Sequence, residues 1–194
     1  MHISDGVLPT AVAMGSLAAT AVLAGIGVRR LRPESLPKVA VVTSSFFVAS
    51  LVHIPFGPTS VHLLLPGIVG ALLGETAFLS ITLGLLLQSL LFQFGGLTAL
   101  GANSLMMGIP ALVCAWIFRR LAGANLTLAG AMAGGLGTLL AAVGLALLLS
   151  TAGENFFGVA KIAIAAHLPV FFIEAAVSAF IVSFLHRVKP ELLA

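Results

Sequence analysis

The sequence predicts an all-α integral membrane protein of about seven transmembrane helices, N-terminus outside and C-terminus cytoplasmic. Three observations carry that prediction. First, 60% of the 194 residues are hydrophobic and 8% are charged, against about 45–50% and about 25% in soluble domains. Mean hydropathy is +1.19, so most faces of the chain must meet lipid. Second, the apolar residues fall into separate runs, at about 7–28, 39–54, 61–74, 76–95, 104–118, 126–150 and 162–185. Third, with all seven runs crossing, Arg29, Arg30, Arg32, Lys38, Arg119, Arg120, Arg187 and Lys189 share one side and Lys161 alone holds the other. That is the positive-inside pattern. Five spans with two re-entrant pieces preserve the same partition.

This composition excludes a soluble enzyme, a nucleic-acid reader and a disordered segment. The net charge of +3 comes from 9 Lys+Arg against 6 Asp+Glu, and it is an orientation signal, not a binding face for an acidic partner. A single cysteine, Cys114, excludes a disulfide framework or a Cys-rich zinc site. No GxxxxGK[ST] phosphate loop occurs, so ATP hydrolysis is not expected in this chain. Residues 1–194 read as one transmembrane domain in the cell (inner) membrane, with neither a signal peptide nor an appended soluble domain.

Along the first run Ala11, Gly15 and Ala19 recur every four residues, a small-residue stripe expected to pack within the chain. The alternative is a docking face for another membrane subunit. The second, third and fifth runs are short, so they are either re-entrant or enclosed by protein. Between the second and third lies the outer loop His53–His62, kept out of helix by Pro55, Gly57 and Pro58. Thr59 and Ser60 are expected to cap the third span. The fourth run carries Gln88. The loop after it, Gln93 to Asn103, is Gly-rich and uncharged, and is expected to pack inward with Asn103 capping the fifth span. In the seventh run His167 and Glu174 are seven residues apart, hence on one helical face. A lone intramembrane carboxylate must find a partner. Locking helices together is the preferred role of Glu174, with charge balance or a proton relay as alternatives.

Four of the five histidines, His2, His53, His62 and His167, fall on the outer side, and imidazole is the commonest biological metal ligand. His2 is too large for the initiator Met1 to be removed. The Met1 amine, the His2 amide nitrogen and the His2 Nδ1 can then chelate one ion through fused rings. Three coplanar nitrogens favour square-planar Ni(II) or Cu(II). A loop histidine would complete the square, His62 first and His53 second. The plain alternative is a start-adjacent histidine with no role. The turn at Asp5-Gly6 lets the tip 1–6 fold back into the bundle. Gln88 suits either support of a metal-bound imidazole or an ordinary interhelical hydrogen bond.

The tip Met1-His2-Ile3-x-Asp5-Gly6, the loop ending Thr59-Ser60-Val61-His62, and the stretch from Gln88 through Gly95-Gly96-Leu97-Thr98-Ala99-Leu100-Gly101-Ala102-Asn103 together resemble one family. It is the substrate-capture (S) component of energy-coupling-factor transporters for nickel and cobalt, the CbiM/NikM type. The resemblance covers most of the chain. It implies that Met1, His2 and His62 hold Ni(II) or Co(II) as the transported substrate, with no organic cofactor. His53, Gln88, Asn103, His167 and Glu174 are candidate supporting or auxiliary residues on the reading of the residues themselves; the resemblance carries over no ligand role for His53, which is a transient outer site or a neutral loop residue. It also implies a transmembrane coupling (T) subunit, two cytoplasmic ATPases and, as an option, a small accessory membrane subunit; no nucleic acid is involved. Where many members carry Ser-His-Pro-Thr-Gly, this chain has Val61-His62-Leu63-Leu64-Leu65, and His62 is aligned by its spacing to the Gly74 region. The competing function is a self-sufficient secondary transporter or channel for a divalent transition metal, relaying protons through His167 and Glu174.

Overall fold

The computed structural model describes residues 3–56, 59–153 and 157–193, with the backbone alone at 53–56 and 59–62. Among these residues are α1 (Thr10–Arg30), α2 (Leu36–Ala49), α3 (Pro66–Leu73), α4 (Ala77–Phe92), α5 (Leu100–Leu121), α6 (Leu126–Ser150) and α7 (Phe157–Val188). One antiparallel hairpin, β1 (His53–Phe56) and β2 (Thr59–His62), interrupts them. The stretches Thr10–Arg30, Pro66–Phe92, Leu100–Leu121, Leu126–Ser150 and Phe157–Val188 are each long and apolar enough to cross a membrane.

Local chemistry sets the boundaries. α1 ends where Arg32, extended at ψ 145°, precedes Pro33, because the residue before proline avoids helix. α3 starts with Pro66 at its first position, where a missing N–H costs nothing. It stops at Gly74, with φ 58°, and a short 3-10 turn, Gly74–Thr76, leads into α4. α6 is capped by Asn125, whose side chain accepts from the Leu128 N–H at 2.9 Å. α7 has 32 residues, about 48 Å at 1.5 Å per residue, longer than a bilayer core.

α3 is the centre of the packing. Of its eight residues, Pro66, Gly67, Ile68, Val69 and Gly70 are buried. A Cβ on Gly67 would stand 1.9 Å from the Ala133 carbonyl oxygen of α6, and one on Gly70 would stand 2.0 Å from that of Ala111 in α5. Backbones that close admit only glycine. Further along, Gly74 lies against the Arg119 guanidinium, so α3 runs beside α5 in the same direction. Leu64 and Leu65, which precede α3, therefore lie toward the N-terminal half of α5.

The helical expectation holds apart from the hairpin, which takes the ends assigned to the second and third runs. The β-branched Thr59 and Val61 favour strand there, and Pro55 is tolerated because both strands of a two-stranded ribbon are edges. Thr59 and Ser60 therefore pair in β2, and Leu65 occupies the cap position of α3. The fifth run is longer than expected: α5 has 22 residues, extended at its start by Leu100-Gly101-Ala102-Asn103 and at its end by Arg119-Arg120-Leu121. The small-residue stripe of α1 is also corrected. Ala11, Gly15 and Ala19 are exposed, and a Cβ on Gly15 or Gly25 would meet nothing within 4 Å. α1 packs through its other face instead, where Ser16, Thr20 and Gly27 are buried and the Thr20 hydroxyl donates to the Gly101 carbonyl at 2.9 Å.

Five of the basic residues gather at one place. Arg29, Arg30, Arg32, Lys38 and Arg119 line one pocket with Glu75 and Leu193, and Arg30 pairs with Glu75 at 3.1 Å. The N-terminal segment docks at the opposite end of α5.

Candidate metal centre

Residue 3 is the first that the structure describes, and it is buried. Ile3 is 3% exposed and joins the core. Its N–H donates to Asn103 Oδ1 at 2.9 Å, and its carbonyl accepts from Asn103 Nδ2 at 3.0 Å. The amide of Asn103 thus imitates a neighbouring strand and satisfies both backbone groups of Ile3, which burial would otherwise leave costly. Asn103 is 2% exposed. It does not cap α5 as the sequence suggested; Ala99 holds the cap position and makes no side-chain cap bond.

The cap comes from another part of the chain. Asp5 accepts from the Thr98 N–H at 2.9 Å, from the Ala99 N–H at 3.2 Å and from the Thr98 hydroxyl. A carboxylate against the free N–H groups of a helix start is favoured by both hydrogen bonding and the helix dipole. The Thr98 hydroxyl, aided by the N–H groups of Ala99, Thr98 and Leu97, holds the Asp5 carboxyl below the usual carboxylate range despite some desolvation. Gly96, at φ 79°, leaves the room: a Cβ there would fall 2.1 Å from the Asp5 carboxylate. Gly6, at φ 80°, makes the turn expected after Asp5.

The hairpin is anchored at both feet. On the exit side Glu174 of α7, 0% exposed, accepts from the Leu64 and Leu65 N–H groups and from the Thr138 hydroxyl at 2.7 Å. Leu65 has the left-handed φ of 55°, unusual for a residue with a side chain, and it is held there by this carboxylate. On the entry side Gln88 of α4 donates from Nε2 to Ser50 Oγ, at the end of α2. Gln88 is fully buried, and its Oε1 has no hydrogen-bond partner among the described residues.

His167 does share a buried stripe of α7 with Glu174. Its Nδ1 lies 2.7 Å from the Ala163 carbonyl, one turn back along the same helix. Both Glu174 oxygens are engaged by backbone and hydroxyl donors, which is the geometry of an anchor and not of a relay open to water. Of the remaining candidate ligands, Met1 and His2 lie outside the described residues. His53 and His62 are placed by backbone only, as register partners in the hairpin. Among the described side chains no group of three His, Cys, Asp or Glu could hold one ion. Sequence reasoning missed the role of Asp5 beyond its turn. The signal was present in the uncharged Gly95-Gly96-Leu97-Thr98 loop, which had room and donors for a carboxylate but none of its own.

The chain is similar to known metal transport proteins. The family model for CbiM, described as the cobalt uptake substrate-specific transmembrane region, matches residues 2–192. A Haemophilus influenzae protein assigned to metal transport is 34% identical over 200 residues, covering 100% of this chain and 97% of its own length. An Archaeoglobus fulgidus protein assigned as a fused nickel transport protein, NikMN, is 30% identical, covering 100% of this chain and 68% of itself. Among solved structures, a truncated transition metal transporter superimposes with a TM-score of 0.85 at 27% identity, covering 96% of this chain and 99% of that one.

Proposed function

Since the chain belongs to the CbiM family of cobalt uptake substrate-specific transmembrane regions, we propose that it is the membrane substrate-binding subunit of an energy-coupling-factor importer. Its substrate is Ni(II) or Co(II). The observation that carries this reading is the double anchorage of the N-terminal segment, Ile3 on Asn103 and Asp5 on the start of α5. A chain reaches about 3.3–3.6 Å per residue, so an amine two residues before the buried Ile3 stays at this end of the bundle. The backbone that follows the hairpin, at Leu64 and Leu65, enters α3 on the side of the start of α5, which supports bringing His62 to the tip.

In this reading the Met1 amine, the His2 amide nitrogen and the His2 imidazole bind the ion in a plane, and His62 completes the set. Loss of the amide proton supplies a negative charge toward the dication. Planar nitrogen ligation favours Ni(II) over Co(II). The ligands must shed protons to bind, so affinity falls as pH drops.

The subunit hydrolyses nothing itself. A T subunit and two cytoplasmic ATPases, with a small accessory membrane subunit as an option, drive transport. The name of the fused nickel relative supports a chain that works joined to another transport component. Seven crossings would put the tip and hairpin outside and the C-terminus in the cytoplasm of a cell-membrane protein. The clustering of Arg29, Arg30, Arg32, Lys38 and Arg119 around one pocket supports this orientation.

The test is titration of the purified full chain, Met1 intact, with nickel and with cobalt. About one ion per chain is expected. Adding one residue ahead of Met1, or making His2→Ala, should abolish tight binding. Nickel held as tightly by either variant overturns the tip model.

A further inference from the structure

We infer that the pocket where the basic residues gather binds an anionic phospholipid, with the phosphate held by arginine and lysine and an acyl chain lying along α2. Arg29 and Arg30 are in the last turn of α1, Arg32 follows it, Lys38 is in the first turn of α2 and Arg119 is in the last turn of α5. Together they line a cavity of about 470 Å³. Among the described residues that line it, Glu75 is the one carboxylate, and it is paired with Arg30 at 3.1 Å. The lining therefore carries an excess of positive charge and favours an anion. The planar fork of arginine matches the oxygens of a phosphate.

The depth of the pocket fits a headgroup. α1 has 21 residues, about 31 Å at 1.5 Å per residue, which matches a hydrocarbon core of about 30 Å. Its last turn, and the pocket with it, is then level with the headgroups. Basic pockets between membrane helices at that level recognise acidic lipids.

A second cavity, of about 500 Å³, adjoins the first, and Lys38 and Leu72 line both. Its wall is mostly apolar, with Pro37, Val41, Val42 and Leu192 beside Leu72; Glu34 and Lys189 line it too. Val41 and Val42 stand one turn beyond Lys38 along α2, and Val41 is 66% exposed. A basic pocket that continues into an apolar groove is the complement of a phosphate carrying a fatty acyl chain. A soluble phosphate would gain nothing from the groove, and an acidic protein segment would match the charge but not the apolar wall. The two cavities are lined by α1, α2, the turn Gly74–Thr76, α5 and the residues around Pro190–Leu192. A lipid bound there ties these segments together, and the site is independent of the proposed metal chelate.

The experiment titrates the purified full chain, in neutral detergent, with dioleoylphosphatidylglycerol, dioleoylphosphatidylcholine, glycerol phosphate and a hexaglutamate peptide. Bound lipid is counted by native mass spectrometry, and Tm is followed in parallel. One phosphatidylglycerol per chain should be held at least about tenfold more tightly than phosphatidylcholine and should raise Tm. Arg29→Gln and Arg32→Gln should each weaken it about fivefold, and Val41→Asn by at least about threefold. All three residues are exposed, so the fold should survive, and the preference of the unaltered chain tests the site without any variant. Arg120→Gln is the control for diffuse charge. Arg120 is at the same end of α5, lies 5.0 Å over the Trp116 ring and lines neither cavity, so its loss should change binding by less than about twofold. Equal retention of the two lipids, or equal weakening by Arg120→Gln and Arg32→Gln, overturns the site. Glycerol phosphate that raises Tm as much as phosphatidylglycerol makes the pocket one for a soluble anion and overturns the lipid. Hexaglutamate bound more tightly than phosphatidylglycerol overturns it in favour of an acidic protein segment.

Discussion

Replacing Asn103 by alanine tests the anchorage of the N-terminal segment directly. The side chain makes two hydrogen bonds to Ile3, of 2.9 and 3.0 Å, and both residues are buried. At about 1 kcal/mol each, their loss weakens docking by about 2 kcal/mol, or about 30-fold. The penalty reaches metal affinity through the fraction of chains whose tip is docked. Asn103→Ala should therefore raise the nickel Kd by up to about 30-fold, measured by calorimetry on the detergent-solubilised chain with native Met1. Asn103→Asp keeps the acceptor for the Ile3 N–H and loses the donor, so it should fall between. Adding Asp5→Ala removes the bonds to Thr98 and Ala99 as well. A double variant that stays folded and binds nickel with unaltered affinity refutes the claim that these contacts hold the tip in its binding position.

Further outcomes follow from the same contacts. Glu174→Ala leaves the buried Leu64 and Leu65 N–H groups without their acceptor, at about 1–3 kcal/mol each, and should lower both melting temperature and metal affinity; Glu174→Gln keeps an acceptor and should be milder, whereas a proton relay would make the two equally damaging to uptake. Gly67→Ala or Gly70→Ala drives a Cβ to within 1.9 or 2.0 Å of a neighbouring carbonyl and should cost about 1–3 kcal/mol or more in thermal unfolding, while Gly15→Ala, facing open space, should leave the isolated chain unchanged. The folded Asp5 carboxyl is held below its ordinary value of 3.8, so its contribution is present above that pH and is lost only as pH falls through the lower folded value. Asp5→Asn should accordingly weaken nickel binding by the same factor at every pH between about 5.5 and 8, parallel to the unmodified profile, since imidazole titrates in that range and this carboxylate does not.

The membrane class, most helix positions and the gathering of the basic residues were legible because they depend on local composition. The hairpin was not, because a run such as Ser60-Val61-His62-Leu63-Leu64 looks apolar enough to begin a helix. Its pairing with His53–Phe56 is a contact between segments. The first turn of α5 was misplaced for a related reason. Gly101 and Asn103 look like loop residues by propensity, yet Gly101 is where α1 approaches, a Cβ there falling 2.4 Å from the Leu17 nitrogen, and Asn103 is where Ile3 docks. The stripe of α1 misled because small spacing marks a surface able to pack closely without saying whether the partner belongs to the same chain. Glu174 was recognised as an anchor, but its partner could not be named: the carboxylate holds backbone 109 and 110 residues away, which no sequence spacing encodes.

Asn103, Gln88 and Glu174 share a physical logic that separates them from the ligands. In an apolar bundle, irregular backbone survives only where protein supplies the hydrogen bonds that water cannot. Asn103 does this for Ile3 and Glu174 for Leu64 and Leu65, while Gln88 fastens Ser50 at the end of α2. On the proposed function, each of these side chains would act on the position of the chain and not on the identity of the ion. Altering one should therefore weaken nickel, cobalt and copper by a common factor, because the docked fraction multiplies every intrinsic affinity alike. Altering a nitrogen ligand changes geometry and donor strength, so it should reorder the metals. Comparing the ratio of nickel to cobalt affinity across Asn103→Ala, Gln88→Ala and Glu174→Gln with that across His2→Ala and His62→Ala separates the two roles. A constant ratio in the first set with a changed ratio in the second marks scaffold and ligand; a ratio that moves with Asn103 or Gln88 makes those residues part of the ion's own environment.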